Sequence, residues 1–81
     1  MPVPPERLRE VVAAHLEVEP AALTDEVLLG EELYVDSLAA AELLVVVEDA
    51  FEVRLPEDLF ADVETYGQLA AAVQSRAVPA A

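Results

Sequence analysis

The chain has 81 residues, enough for one domain but not a second core, and at this size only about 60% of the unfolded surface is buried, which leaves little room for a deep catalytic cavity. It contains no cysteine, so disulfides, thiolate catalysis and cysteine-rich zinc sites are excluded, and a hydrophobic fraction of 56% argues against a disordered acidic tail. Seventeen carboxylates face four arginines and no lysine, a formal net charge of −13 that repels nucleic-acid backbones and anionic membranes and attracts basic protein surfaces.

The charge is also local. Between Arg9 and Arg54 the only residue able to turn cationic is His15. The same acidity would keep a small apolar-rich chain soluble, so composition does not choose between a docking field and simple solubility. Met1 to Pro5 lacks the basic start and apolar stretch of a signal peptide. No apolar run, such as Leu43 to Val47, approaches the roughly 20 residues of a membrane span, so a cytoplasmic location is expected.

In chain order, the first predicted helix runs from about Pro5 to Glu17. Pro5 suits a first turn, Glu6 complements the dipole there, and Leu8, Val11, Val12 and Leu16 recur at helical spacing. Glu19-Pro20 breaks the pattern, and a long connection from about Val18 to Val35 follows. Its apolar Leu23, Val27, Leu28, Leu29 and Leu33 predict that it packs on the core. A second helix is predicted from Asp36-Ser37 to about Glu52, with either residue able to cap it. Pro56-Glu57-Asp58 opens a short third helix through about Ala61. The fourth starts at Thr65, where Thr65-x-x-Gln68 is a capping-box pattern, and continues through Leu69, Ala72, Val73 and Ala77. No convincing strand is legible. The expectation is an all-α bundle of four helices, with a short third helix and a long first loop. It forms a single domain over 1–81, with loose ends at 1–4 and 78–81. The core expected comprises Leu8, Val12, Leu16, Leu33, Leu43, Val47, Phe51, Leu55, Phe60, Leu69 and Val73.

At about 100° per residue, Leu43, Ala50, Val47, Ala40, Phe51 and Leu44 share the core face of the second helix. Leu38, Ala41 and Val45 fall on the opposite side among Glu42, Glu48, Asp49 and Glu52. An apolar strip bordered by like charge is a candidate docking surface, although an Ala/Val-rich helix with a few exposed apolar residues is also ordinary. The helix alone leaves both readings open.

The step into that helix, Leu33-Tyr34-Val35-Asp36-Ser37-Leu38 followed by Glu42-Leu43, resembles the acyl carrier protein signature, in which Asp-Ser-Leu opens the second of four helices. The resemblance extends to Thr24-Asp25 and Leu29-x-Glu31-Glu32-Leu33 upstream. Downstream it takes in Glu48-Asp49-x-Phe51-x-Val53-x-Leu55-Pro56 and Thr65-Tyr66-Gly67-Gln68-Leu69. It implies that Ser37 carries 4′-phosphopantetheine through a phosphodiester, and that Asp36 supports the helix start and transferase recognition. Leu38, Ala41, Glu42, Val45, Glu48 and Asp49 are then the expected partner face. The partners implied are a phosphopantetheinyl transferase, an acyl-loading enzyme, a ketosynthase and other pathway enzymes with basic surfaces, all visiting a monomer that has no catalytic activity of its own.

Two positions depart from the family pattern. Tyr34 stands where a glycine is common, which stiffens or reshapes the approach to the serine; it either packs over the loop or touches the arm or a partner. Ala39-Ala40-Ala41 is smoother than the acid and larger apolar residue usual in fatty-acid carriers, which points to polyketide or related specialised biosynthesis.

Three other classes compete. A serine hydrolase lacks its histidine, since the single His15 lies in the first helix, and there is no Gly-x-Ser-x-Gly elbow. Asp25, Gly30 and Asp36 fall at positions one, six and twelve of a calcium loop, but Val27 and Leu29 occupy positions three and five, and no metal site is expected. An unmodified acidic interaction module and, within carriers, an aminoacyl or peptidyl carrier remain as alternatives.

Overall fold

The computed structural model describes residues 3–80. Three α-helices carry the fold: α1 (Pro5–Leu16), α2 (Ser37–Phe51) and α3 (Tyr66–Arg76). Two 3-10 turns, Pro20–Ala22 and Leu59–Asp62, lie in the connections, and two short strands, β1 (Val53–Arg54) and β2 (Val78–Pro79), pair antiparallel. The chain is therefore mostly helical, as expected, but the expected third helix is a 3-10 turn. Its bonds run from Leu59 N–H to the Pro56 carbonyl, Ala61 N–H to Asp58 and Val63 N–H to Phe60, all of the i to i−3 kind. The stretch between Pro56 and the Thr65 cap is too short to repay nucleation of an α-helix, whereas the tighter turn already buries Leu59.

Helix α1 has Pro5 in its first turn and ends where Glu17 enters the left-handed region (φ 58°). The Glu17 and Val18 amides then donate to the Ala14 and Ala13 carbonyls, which closes the last turn without a glycine. Helix α2 ends likewise at Glu52 (φ 52°).

The strands correct the expectation that none would form, and β2 takes up residues 78–79 of the stretch expected to be loose. Val53 is buried and Arg54 exposed, an alternation only two residues long and invisible as a pattern. Val53 pairs with Pro79 and Arg54 with Val78, and the Ala80 amide donates to the Glu52 carbonyl (3.0 Å). Pro79 is tolerated because this is an edge strand. At the other end, Val3 is fully buried and its carbonyl accepts from Gln74 Nε2. Residues 1, 2 and 81, the remainder of the expected loose ends, lie outside the described residues.

Of the expected core, Leu8, Val12, Leu43, Val47, Leu55, Leu69 and Val73 are buried, whereas Leu16, Leu33, Phe51 and Phe60 are half-buried and pack against its edge. Val3, Ala13, Leu23, Leu29, Val53, Leu59 and Tyr66 complete the buried set. Tyr66 is the largest fully buried side chain, with the Arg9 guanidinium 5.7 Å from its ring centre. Ala50, placed on the core face by helical spacing, is exposed.

The connection from α1 to α2 is pinned through its backbone to the start of α3. Gly67 N–H donates to the Asp25 carbonyl (3.0 Å), Tyr66 N–H to Val27 (3.0 Å), and Leu29 N–H to the Glu64 carbonyl (2.9 Å). A side chain at Gly67 would place its Cβ 2.8 Å from the Asp25 oxygen, so this approach requires glycine. The capping box holds the other side of the junction: Gln68 N–H donates to Thr65 Oγ1, and Thr65 N–H to Gln68 Oε1.

Candidate functional site

The pinned connection delivers the chain to the mouth of α2. Val35 N–H donates to the Leu29 carbonyl (2.9 Å), which fixes the last loop residue before Asp36. Asp36 is the N-cap: its backbone is extended and its Oδ1 accepts from Ala39 N–H (2.8 Å). Ser37 is then the first helical residue and is exposed. Because Asp36 does the capping, Ser37 Oγ has no hydrogen-bond partner among the described residues. The Ser37 and Leu38 amides, at the positive end of the helix dipole, have no protein acceptor there either.

A groove of about 1040 Å³ opens beside Ser37. One wall is the flank of α2, with Ala40, Ala41, Leu44 and Val45; the other carries Leu28, Leu29 and Val35 from the loop and Phe60, Ala61 and Val63 from around the 3-10 turn. Glu31, Glu57, Asp58 and Glu64 also line it. The lining is thus mostly apolar with acidic members, and no histidine stands among it. Helical and turn spacing put Phe60 in the core and did not join Val35, Leu44 and Val63 to the serine; the Pro56 turn that folds Phe60 and Val63 back was the available signal.

The solvent face of α2 divides the expected partner residues into two groups. Leu38 (69% exposed), Val45 (54% exposed), Ala41, Glu42 and Asp49 are exposed or nearly so, and Ala41 and Val45 also border the groove. Glu48 is half-buried and its Oε2 accepts from Leu55 N–H (2.8 Å), tying the end of α2 to the segment after β1. Losing a charge-assisted bond of this kind costs about 1–2 kcal/mol at a part-exposed site. Glu48→Lys is therefore expected to lower the melting temperature by several degrees. Asp49→Lys, one residue on and free of such a bond, is expected to leave it nearly unchanged. Parallel thermal melts by circular dichroism check the contrast.

Tyr34 does not pack over the loop. It is 84% exposed, is absent from the groove wall, and sits in the left-handed region (φ 59°). A non-glycine residue there costs about 1–2 kcal/mol.

An unengaged hydroxyl at a capped helix mouth, beside an apolar groove, is open to covalent modification. The exposed Oγ and the two free amides can hold a phosphodiester, the amides through hydrogen bonds to its oxygens. Residues 6–73 match the family model described as phosphopantetheine attachment site. The chain is 31% identical to the acyl carrier protein of Phenylobacterium zucineum over 71 residues, covering 88% of this chain and 90% of that relative. It is 32% identical to the acyl carrier protein of Caulobacter vibrioides over 62 residues, covering 76% of this chain and 80% of that relative. The chain belongs to the acyl carrier protein family. It carries 4′-phosphopantetheine as a covalently attached prosthetic group. Among the described residues no helix is long and apolar enough to cross a membrane.

Proposed function

We propose that Ser37 is the attachment point, and that the chain holds acyl intermediates as thioesters and presents them to successive partner enzymes. The observation that carries this is the free Ser37 hydroxyl on the first turn of a helix capped by its neighbour Asp36. Ser37 Oγ displaces adenosine 3′,5′-bisphosphate from coenzyme A: one Oγ–P bond forms, the pyrophosphate P–O bond breaks, and the hydroxyl proton passes to a base on the transferase. The attached group supplies a terminal thiol for thioester formation. This chain's own residues do the rest. Asp36 keeps the helix start rigid, the Ser37 and Leu38 amides would hold the phosphate oxygens, and the apolar groove would shelter the arm or cargo folded back along α2.

Leu38, Ala41, Glu42, Val45 and Asp49 form the proposed docking face, with Asp36 beside the serine for transferase recognition. Glu48 contributes charge there, but its bond to Leu55 gives it a structural duty first. Phosphopantetheinyl transferase, an acyl-loading enzyme and a ketosynthase are the proposed visitors, each bringing a basic surface to a monomeric, non-catalytic carrier in the cytoplasm. Polyketide or related specialised biosynthesis is the proposed setting, supported by the Ala39–Ala41 run and by Tyr34.

Intact-mass analysis after incubation with coenzyme A and a broad-specificity phosphopantetheinyl transferase tests the reading. The expected result is a gain of one phosphopantetheine. No gain, under conditions where a control carrier is fully converted, would leave only an unmodified interaction module. An aminoacyl thioester on the native protein would move the cargo class to an aminoacyl or peptidyl carrier.

A further inference from the structure

Among the described residues three non-glycines have positive φ, and two of them, Glu17 and Glu52, are helix ends whose conformation closes the last turn through backbone bonds. Tyr34 is different. It lies in a loop locked on both sides, by Leu33 N–H to the Leu28 carbonyl and by Val35 N–H to the Leu29 carbonyl. The backbone there must turn left-handed, and glycine would do so without strain. Among the described residues the ring gains little in return: it is 84% exposed and outside the groove. A strained, solvated aromatic three residues before Ser37 is a candidate for a contact from outside the chain.

The surroundings state the chemistry of that contact. Glu31, Glu32 and Asp36 flank the ring in sequence and lie at the surface, and no arginine or lysine lies between Arg9 and Arg54. An aromatic face among carboxylates fits a guanidinium or ammonium. Visitors that work on the cargo dock on α2 but do their chemistry at the far end of a tether. The enzyme that installs the tether must bring its own surface to Ser37 Oγ and so must cover the neighbouring residues.

We propose that Tyr34 is a recognition residue for the phosphopantetheinyl transferase, its ring receiving a cationic side chain of the transferase while Glu31 and Asp36 draw that surface in. The proposal rests on attachment at Ser37. Tyr34 touches the partner protein and takes no part in the phosphoryl transfer itself.

The test measures kcat/KM of a transferase from the same cell, with coenzyme A, on the wild-type, Tyr34→Phe and Tyr34→Gly chains, beside their melting temperatures. Tyr34→Phe keeps the ring and is expected to stay within about twofold of wild type. Tyr34→Gly is expected to lose about tenfold, in KM rather than kcat. Its melting temperature should hold or rise by about 4–8 °C, because the backbone strain is relieved. A purely structural tyrosine would move the melt downward, and either that result or modification of Tyr34→Gly at the wild-type rate overturns the proposal. In the second case both chains are modified and Ser37 attachment stands. If no chain is modified, the attachment itself is refuted and the recognition role goes with it.

Discussion

Ser37→Ala is expected to show no mass gain at all after incubation with coenzyme A and transferase, while its melting temperature stays level with wild type. Both halves follow from the division of labour at the helix mouth. Asp36 Oδ1, not the serine, holds the Ala39 amide, so removing Ser37 Oγ leaves the cap intact. Alanine is moreover a slightly better helix former at an exposed position, by about 0.5 kcal/mol. The loss is thus chemical and not conformational. The only other serine is a built-in control. Ser75 lies in the last turn of α3, where Oγ donates to the Ala72 carbonyl and the nearby unpaired backbone groups are carbonyls that repel phosphate. Ser75→Ala should be modified like wild type. A residual gain on Ser37→Ala, measured by intact mass and located by peptide fragmentation, would move the site.

Much of this site was legible because it is local. A cap followed by a helical apolar stripe occupies a short run of consecutive residues, and Asp36, Ser37, Leu43 and Val47 stand where spacing put them. The capping box at Thr65 and Gln68 was legible for the same reason. What escaped was settled by residues distant in sequence. Val53 and Arg54 form a strand only because Val78 and Pro79 return to them, and a two-residue alternation carries no signal by itself. Glu48 reads as one more surface carboxylate until the chain turns and brings the Leu55 amide to it. Tyr34 stands out in the sequence as a misfit to the glycine pattern, but whether its ring turns inward or outward depends on the backbone bonds of Leu33 and Val35. The 3-10 turn at Leu59–Asp62 shows that favourable start residues, a proline and two acids, do not suffice when the segment is too short.

Tyr66 escaped the expected core for a physical reason: a tyrosine at a helix start is as often a surface residue, and nothing nearby in sequence shows that Arg9 will cover it. Its burial makes the fold depend on it heavily. Tyr66→Ala removes the largest fully buried side chain and is expected to cost about 3–5 kcal/mol. A domain of this size holds only about 4–12 kcal/mol in total. The variant should therefore unfold near or below physiological temperature, and with it the loop stitched to α3 should release Ser37 from its place. Tyr66→Phe keeps the ring beneath Arg9 and isolates the hydroxyl. Burial pushes the Tyr66 pKa above its ordinary value of 10.0, an effect that the neighbouring Arg9 charge opposes and Asp25 reinforces. Below pH 10.0 both native and unfolded states hold the proton, and the stability is fully present. Above it the unfolded chain ionises first, so stability falls as the pH rises through 10.0 toward the native value. Tyr66→Phe has no proton to lose and should show a shallower decline. Urea titrations of both proteins at about pH 8 and across the alkaline range check this. Parallel alkaline slopes would mean that the native hydroxyl ionises as freely as the unfolded one, contrary to its burial.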